Sequence, residues 1–445
     1  MSNSEETTDG SPVIPAQYLF PFILVTTLFA LWGFANDITN PMVAAFKNVL
    51  LLSNVQSSWV QSAFYGGYCV MAIPAALFIR KVGYKPGVLL GLALYAVGCL
   101  LFIPAAASVQ FGAFLAAYFI MTSGLAFLET TANPYILMMG PQETAARRLN
   151  FAQAFNPIGS LMGMFVARNL ILANLNEADE TTRRALVETD PAAFEAIREA
   201  DLSVIVWPYL TLGVVVLVAL VGFAIAKLPA GESVETEDDS IGATLGRLFT
   251  SPRYLGGVVA QAFYVGAQIM CWTFIIQYGV NELGLTAEQA QSYNIVAMVI
   301  FVTSRFCCTY LLKFFNPGAL LGVLSAAAFG LICGTIFLPG FSGLYCLVGV
   351  SACMSLMFPT IYGIALSGLG EDAKLGSAGL ICAIGGGCFM PPLQASIMDG
   401  APQVLAGITI SPTRASFVLP LICFLVVAAY GLAMYFADRG SRRES

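Results

Sequence analysis

The sequence predicts an all-α membrane protein of twelve transmembrane helices arranged as two parallel six-helix repeats. Three observations carry this. Of 445 residues, 58% are hydrophobic and only 10% charged, and the mean hydropathy is +0.79. Soluble domains hold roughly 25% charged residues because a water-facing surface needs them, so a chain this poor in charge is built for lipid. At about 20 apolar residues per crossing, the length accommodates roughly twelve spans. Finally, the halves echo each other. YKPGVLLG (84–91), opening helix 3, returns as FNPGALLG (315–322), opening helix 9. GPQETAARRLN (140–150), after helix 4, returns as GLGEDAKLG (368–376), after helix 10, at a similar offset. Matches at one recurring offset are what parallel repeats leave in a sequence.

Apolar runs bounded by polar breaks place the helices at 18–46, 54–79, 86–106, 109–139, 149–173, 203–227, 253–281, 287–313, 317–338, 342–368, 374–398 and 412–437. Residues 1–17 form a polar tail with Glu5, Glu6 and Asp9. The tail lacks the basic start of a secretory signal, and the first apolar run is read as a retained span. Two breaks are long. Residues 174–202 hold Glu177, Asp179, Glu180, Glu188, Asp190, Glu195, Glu199 and Asp201. Residues 228–252 hold the acidic run Glu235, Glu237, Asp238 and Asp239, then Arg247. The second break reads as a central cytoplasmic linker between bundles at 18–227 and 253–437, with a tail at 438–445.

Lysine and arginine set the orientation. With the N-terminus inside, the inner face receives Arg80, Lys81, Lys85, Arg147, Arg148, Lys227, Arg247, Arg253, Lys313, Lys374, Arg439, Arg442 and Arg443. The short outer loops receive only Lys47 and Arg414. Both termini are therefore expected in the cytoplasm, with the chain multi-pass in the plasma membrane (the bacterial inner membrane).

Composition removes several functions. Net charge is −6 and there is no basic patch for nucleic acid. Histidine is absent, which excludes a His-based triad and a His metal site. The 11 cysteines are scattered through apolar runs without C-x-x-C pairs, so no metal or redox centre is expected. No phosphate-binding loop appears. The reading is a transporter that is not an enzyme and uses no cofactor or ATP.

Ionisable groups at membrane depth are costly and are functional candidates by default. Helix 1 reads FALWGFANDITNPM (29–42). There Asn36 and Asn40 are spaced i, i+4 and Asp37 and Asn40 i, i+3, so all three share roughly one face. Helix 4 reads FLETTANPY (127–135), with Glu129 four residues before Asn133. Helix 5 reads NFAQAFNPIG (150–159), with Gln153 and Asn156 at i, i+3. Carboxylates and amides on three helices can line one polar cavity. That inventory suits a sugar, whose hydroxyls both donate and accept. Asn and Gln also serve simply to bond helices together. Burying Asp or Glu for packing alone is far more costly.

In the second half, Gln261, Tyr264, Gln268 and Trp272 of QAFYVGAQIMCW (261–272) recur as one helical stripe. The aromatic faces can stack on a sugar ring while the amides bond its hydroxyls; an aromatic stripe equally serves as core. Arg305 on helix 8 is read as a gating or inter-helix ion-pair residue. Arg168 on helix 5 is read as snorkelling to the surface. Asn40-Pro41, Asn133-Pro134, Asn156-Pro157, Gly385-Gly386-Gly387 and Pro391-Pro392 mark kinks and close packing.

FALWGFANDITNPM, VQSAFYGGY (60–68), FLETTANPY, LNFAQAFNPIG (149–159), YVGAQIMCW (264–272) and FPTIYGIAL (358–366) together resemble the fucose–galactose–proton symporter family of the major facilitator superfamily. These segments span both halves. The resemblance implies the major facilitator fold and proton-coupled symport of a monosaccharide by alternating access, from a mid-membrane cavity. L-fucose is the first expectation, with D-galactose or D-arabinose as others. By motif position, Asp37 and Glu129 match the family's paired carboxylates for proton coupling and sugar binding, and Gln153 and Asn156 match its helix 5 sugar contacts. Glucose/galactose-type relatives commonly replace both carboxylates, so their retention favours the fucose branch. The chain departs from the family pattern at Gln277 in IIQY (275–278), where a basic residue is expected, and at Phe358, where a tyrosine is expected. IRKVGYK (79–85) lacks the acidic residue of the superfamily's loop signature. A sodium-coupled or glucose/galactose-type carrier is the alternative within transport, and a non-transporting membrane sugar sensor the alternative from another class. The expected partners are a monosaccharide, a proton and the lipid bilayer, with no nucleic acid, and the carrier is expected to be a monomer.

Overall fold

A computed structural model gives the fold and describes residues 14–137, 139–140, 151–153, 155–226, 241–312, 314–367, 369, 372–405 and 408–444. Most of the predicted N-terminal tail, residues 141–150 of the motif after helix 4 with Arg147 and Arg148, and the acidic run of the predicted linker lie outside these residues.

The chain follows the predicted order of spans, several of them broken. Span 1 is Leu19–Thr39 with Met42–Val49, interrupted at Asn40-Pro41, where proline supplies no N–H. Span 2 is Asn54–Val82. Span 3 is Tyr84–Leu100 with Phe102–Ser108, and span 4 is Phe111–Leu137. Span 5 is helical at 151–153 and through Phe155–Val166, then widens to a π-turn at Ala167–Ile171. Span 6 is Pro191–Ile225. Span 7 is Pro252–Thr273 with Ile275–Leu283, and span 8 is Ala287–Leu311. Span 9 is Pro317–Phe337, and span 10 is Phe341–Met354 with Met357–Leu366. Span 11 is Ala373–Cys382 and Gly386–Met398 around a tight turn at Ala383–Gly385. Span 12 is Pro412–Ala415 with Val418–Glu444.

Among the described residues, ten helices are long and apolar enough to cross a membrane. Span 8 carries Glu288, Gln289, Gln291, Asn294 and Arg305 along its length. Span 5 is described only in pieces.

The predicted break at 174–202 needs correction. Asp179 caps a helix at Glu180–Thr189, and Asp190 with Pro191 then starts span 6 well before the apolar run begins. Aspartate at the cap and proline at the first helical position are standard start signals; hydropathy alone passes over them. Arg183 is buried against Asp201 at 2.6 Å and donates to the carbonyls of Asn176 and Ala178, which clamps this small helix to span 6. The predicted linker 228–252 also contains a helix, Ile241–Thr250. Arg247 of that helix holds Asp372 at 2.7 Å, which keeps the Asp372 carboxyl below the usual carboxylate range. A short hairpin, Gln403–Leu405 with Ile408–Ile410, was not foreseen.

The packing repeats. Span 1 lies on span 5 and span 7 on span 11. Span 2 lies on span 4 and span 8 on span 10. Span 3 lies on spans 4 and 6, and span 9 on spans 10 and 12. Each contact recurs six spans later, as parallel repeats require. Spans 2 and 11, and spans 5 and 8, join the halves. Glycine lets the paired helices touch backbone to backbone. A Cβ at Gly159 would lie 1.9 Å from the Ala30 carbonyl oxygen of span 1, and one at Gly386 would lie 1.9 Å from that of Ala262 on span 7. Close approach through small residues is how helices gain packing energy where lipid removes the hydrophobic drive. Gly159→Val is therefore expected to cost about 1–3 kcal/mol by overpacking, read as a lower unfolding temperature in detergent.

Candidate functional site

The break in span 1 turns its polar residues toward span 2. Asp37 is buried, and Asn40 Nδ2 donates to its Oδ1 at 3.1 Å. The Ser160 hydroxyl of span 5 donates to the Gly33 carbonyl of span 1 at 3.5 Å, one turn before Asp37. Gln61 of span 2 donates to Asn40 Oδ1 at 3.1 Å and to Thr273 Oγ1 of span 7 at 2.9 Å. A continuous polar chain, Asp37–Asn40–Gln61–Thr273, thus crosses from one half to the other. Asn36 accepts from the Tyr65 hydroxyl at 3.2 Å.

Glu129 is buried on span 4, and its Oε2 has no hydrogen-bond partner among the described residues. The Tyr68 hydroxyl is likewise buried and without a hydrogen-bond partner among the described residues. Asn133 turns back to the Glu129 carbonyl at 3.1 Å and accepts from Gln153 of span 5 at 3.1 Å. Asn156 donates to the Phe29 carbonyl of span 1 at 3.3 Å, so its amide is engaged in joining spans 1 and 5.

The stripe of span 7 divides. The Tyr264 hydroxyl donates to the Met354 carbonyl at 2.9 Å, and Trp272 Nε1 donates to Ser351 Oγ at 3.1 Å, so both aromatics bind span 10. Trp272 also meets Phe301 edge-on, with centroids 5.0 Å apart. Gln268 is half-buried. Gln261 is fully buried with neither amide atom partnered. Arg305 Nε donates to the Ser355 carbonyl at 3.2 Å, and its guanidinium lies 5.0 Å from the Phe301 centroid. Tyr264 and Arg305 thereby cover carbonyls left open where span 10 breaks. Arg168, expected to snorkel, is partly exposed and also pairs with Glu288 of span 8 at 2.7 Å.

Gln61, Tyr65 and Tyr68 were not singled out from sequence, although they repeat at i, i+4, i+7 in the quoted VQSAFYGGY. Gln291 and Asn294 on span 8 were also missed. Both are fully buried, and Asn294 covers the Trp272 carbonyl at 3.2 Å beside the break in span 7.

Chemically, two buried carboxylates stand among amides and phenols that can exchange protons and hydroxyl hydrogen bonds. Residues 23–411 match the Major Facilitator Superfamily. The L-fucose-proton symporter of Haemophilus influenzae is 51% identical over 429 residues, covering 95% of this chain and 98% of its own. That of Escherichia coli K12 is 34% identical, covering 92% of each chain. The crystal structure of the transporter FucP in its outward conformation matches with a TM-score of 0.71 and 34% identity, over 94% of this chain and 99% of that one.

The unpartnered amide of Gln261 yields a test. Removing a buried polar group that lacks a partner relieves a cost of about 1–3 kcal/mol. Gln261→Met should therefore raise the unfolding temperature of the sugar-free protein; a fall would show that the amide is satisfied.

Proposed function

The chain belongs to the major facilitator superfamily, and on that footing we propose that it carries L-fucose across a membrane together with a proton. The reading rests on its 51% identity, over nearly the full length, to an L-fucose-proton symporter. The buried pair Asp37 and Glu129 supplies the chemistry such a carrier needs.

Asp37 and Glu129 are the proton-coupling groups in this reading. A buried carboxylate carries a large desolvation cost when charged. Protonation removes the cost and gives the group a donor for a sugar hydroxyl. Proton and sugar then favour the same state of the carrier, which is the requirement for coupling. Asn36, Asn133, Gln153 and Gln268 are the sugar-binding amides. Gln261 has both amide atoms available for hydroxyls. Asn40 acts through Asp37, orienting its carboxylate and passing the polar chain to Gln61. Tyr264 and Trp272 hold span 10 against span 7 and shape the wall. Asn156 and Arg305 act as positioning residues at helix junctions, Arg305 beside the broken region of span 10.

The bundles at 18–227 and 253–437 move against each other about this site. Both termini face the cytoplasm of a bacterial cell, as the distribution of lysine and arginine supports. The carrier works as a monomer and is not an enzyme.

The test is uptake and counterflow of labelled L-fucose in proteoliposomes. Wild-type uptake should accelerate as the outside is acidified, because the proton is a co-substrate and lower external pH loads the site. Uptake that instead follows a sodium gradient at constant pH would overturn proton coupling. Glu129→Gln should lower net accumulation by on the order of tenfold or more, within the range of typical coupling between sites. Counterflow, which needs no net proton turnover, should survive. Asp37→Asn should lose the acceleration by acid while still binding sugar, because the amide resembles a protonated carboxyl. Acceleration that persists in this variant would move proton entry away from Asp37.

A further inference from the structure

Two junctions tie the halves together on the face where spans 5 and 11 end and spans 2 and 8 begin. At the first, Asp399, directly after span 11, meets the first turn of span 2. Its Oδ1 accepts from the Asn54 backbone N–H at 3.1 Å and from Asn54 Nδ2 at 2.6 Å, and its Oδ2 accepts from the Val55 N–H at 2.9 Å. Within span 2, Ser53 and Gln56 form a capping box that covers each other's N–H groups. The two N–H groups between them, at Asn54 and Val55, are covered from the other half of the molecule. Four open donors are the normal state of a helix start; here the opposite bundle completes the set.

At the second junction, Arg168 of span 5 meets the first turns of span 8, binding Glu288 at 2.7 Å and Ser292 Oγ at 2.9 Å. Span 8 also opens with a capping box, Thr286 with Gln289. By the six-span repeat, span 2 corresponds to span 8 and span 11 to span 5. The junctions are therefore repeat equivalents with their charges exchanged. In one, the partner brings an acid to bare backbone donors. In the other, the acid is built into the helix start and the partner brings a base.

We propose that Asp399 and Arg168 are paired latches that hold this face of the carrier shut and must release in each turnover. The proposal rests on the transport reading above. Both favour the helix N-terminus electrostatically, the carboxylate by facing it directly and the arginine by anchoring the acid of its first turn. Both sit at the water-accessible rim: Asp399 is exposed, and the Arg168 and Glu288 side chains are 32% and 35% exposed. Water can replace the lost contacts on opening, which makes the closure reversible. Salt acts on both latches: the Arg168–Glu288 pair is a partly exposed ion pair open to screening, and the attraction of the exposed Asp399 carboxylate to the helix start is screened as well, while its hydrogen bonds to the backbone donors remain available.

The test is hydrogen–deuterium exchange on the full-length protein in lipid nanodiscs, without sugar or a proton gradient. Asp399→Ala should raise exchange by about fivefold at residues 54–58, the scale of losing one helix cap. It should also raise exchange across the other junction, at 286–292, and lower it at the opposite face, at 373–382, because opening one face closes the other. Asp399→Asn, which keeps an acceptor oxygen, should sit between wild type and Asp399→Ala. Arg168→Glu and Glu288→Arg should each open the face, and the doubly exchanged protein should restore closure, with all three effects shrinking in high salt. Exchange confined to 54–58 would make Asp399 a local cap and overturn the latch; so would no change anywhere, or failure of the double exchange to restore closure. Failure of the wild type to exchange L-fucose would count against the transport reading alone, since the exchange measurement uses no sugar.

Discussion

Backbone N–H and C=O groups at membrane depth have no water to bond, so every interruption of a spanning helix must be completed by a neighbour. This chain interrupts spans 1, 3, 7, 10, 11 and 12 and completes several of the gaps with the polar side chains that the sequence places at membrane depth. Tyr264 covers the Met354 carbonyl, Arg305 that of Ser355, and Asn294 that of Trp272. The polarity that makes the interior hospitable to a sugar is in part the polarity needed to permit broken helices. The breaks in turn bring span 1 and span 7 side chains together at Gln61.

The same constraint sorts the polar residues into two groups. Those whose hydrogen bonds are spent on backbone, such as Asn156, Tyr264 and Arg305, fix the geometry of helix pairs. Those with unspent capacity, Gln261 and Glu129, carry buried atoms without a hydrogen-bond partner among the described residues. An unsatisfied buried polar atom is destabilising.

Much of this was legible in the sequence. Order and approximate position of the spans follow from hydropathy, since each crossing needs a continuous apolar run. The carboxylates on spans 1 and 4 stand out because no packing need explains them. What sequence concealed falls into two kinds. The early start of span 6 at Pro191 is encoded in cap chemistry rather than in hydropathy, so an apolar run marks only its buried part. Pairings such as Arg168 with Glu288, or Asp399 with Asn54, join residues more than a hundred positions apart. Nothing local distinguishes those side chains from ordinary surface charge. The division of the span 7 stripe was hidden for a related reason: periodicity shows that residues share a face but not which neighbour that face meets.

Span 6 has one more consequence. At 35 residues it is about 52 Å long, against a hydrocarbon thickness of about 30 Å. Part of it must therefore stand in water, where the buried Arg183–Asp201 pair braces it against the Glu180–Thr189 helix, and Lys47 at the end of span 1 reaches Glu180. All of these partners belong to the first six spans. The result is a stiff handle on a 47.3 kDa protein that otherwise keeps most of its mass in lipid. An antibody fragment raised against this knob would ride with one half of the carrier without bridging to the other. It would add mass for particle alignment in electron microscopy while leaving the carrier free to cycle.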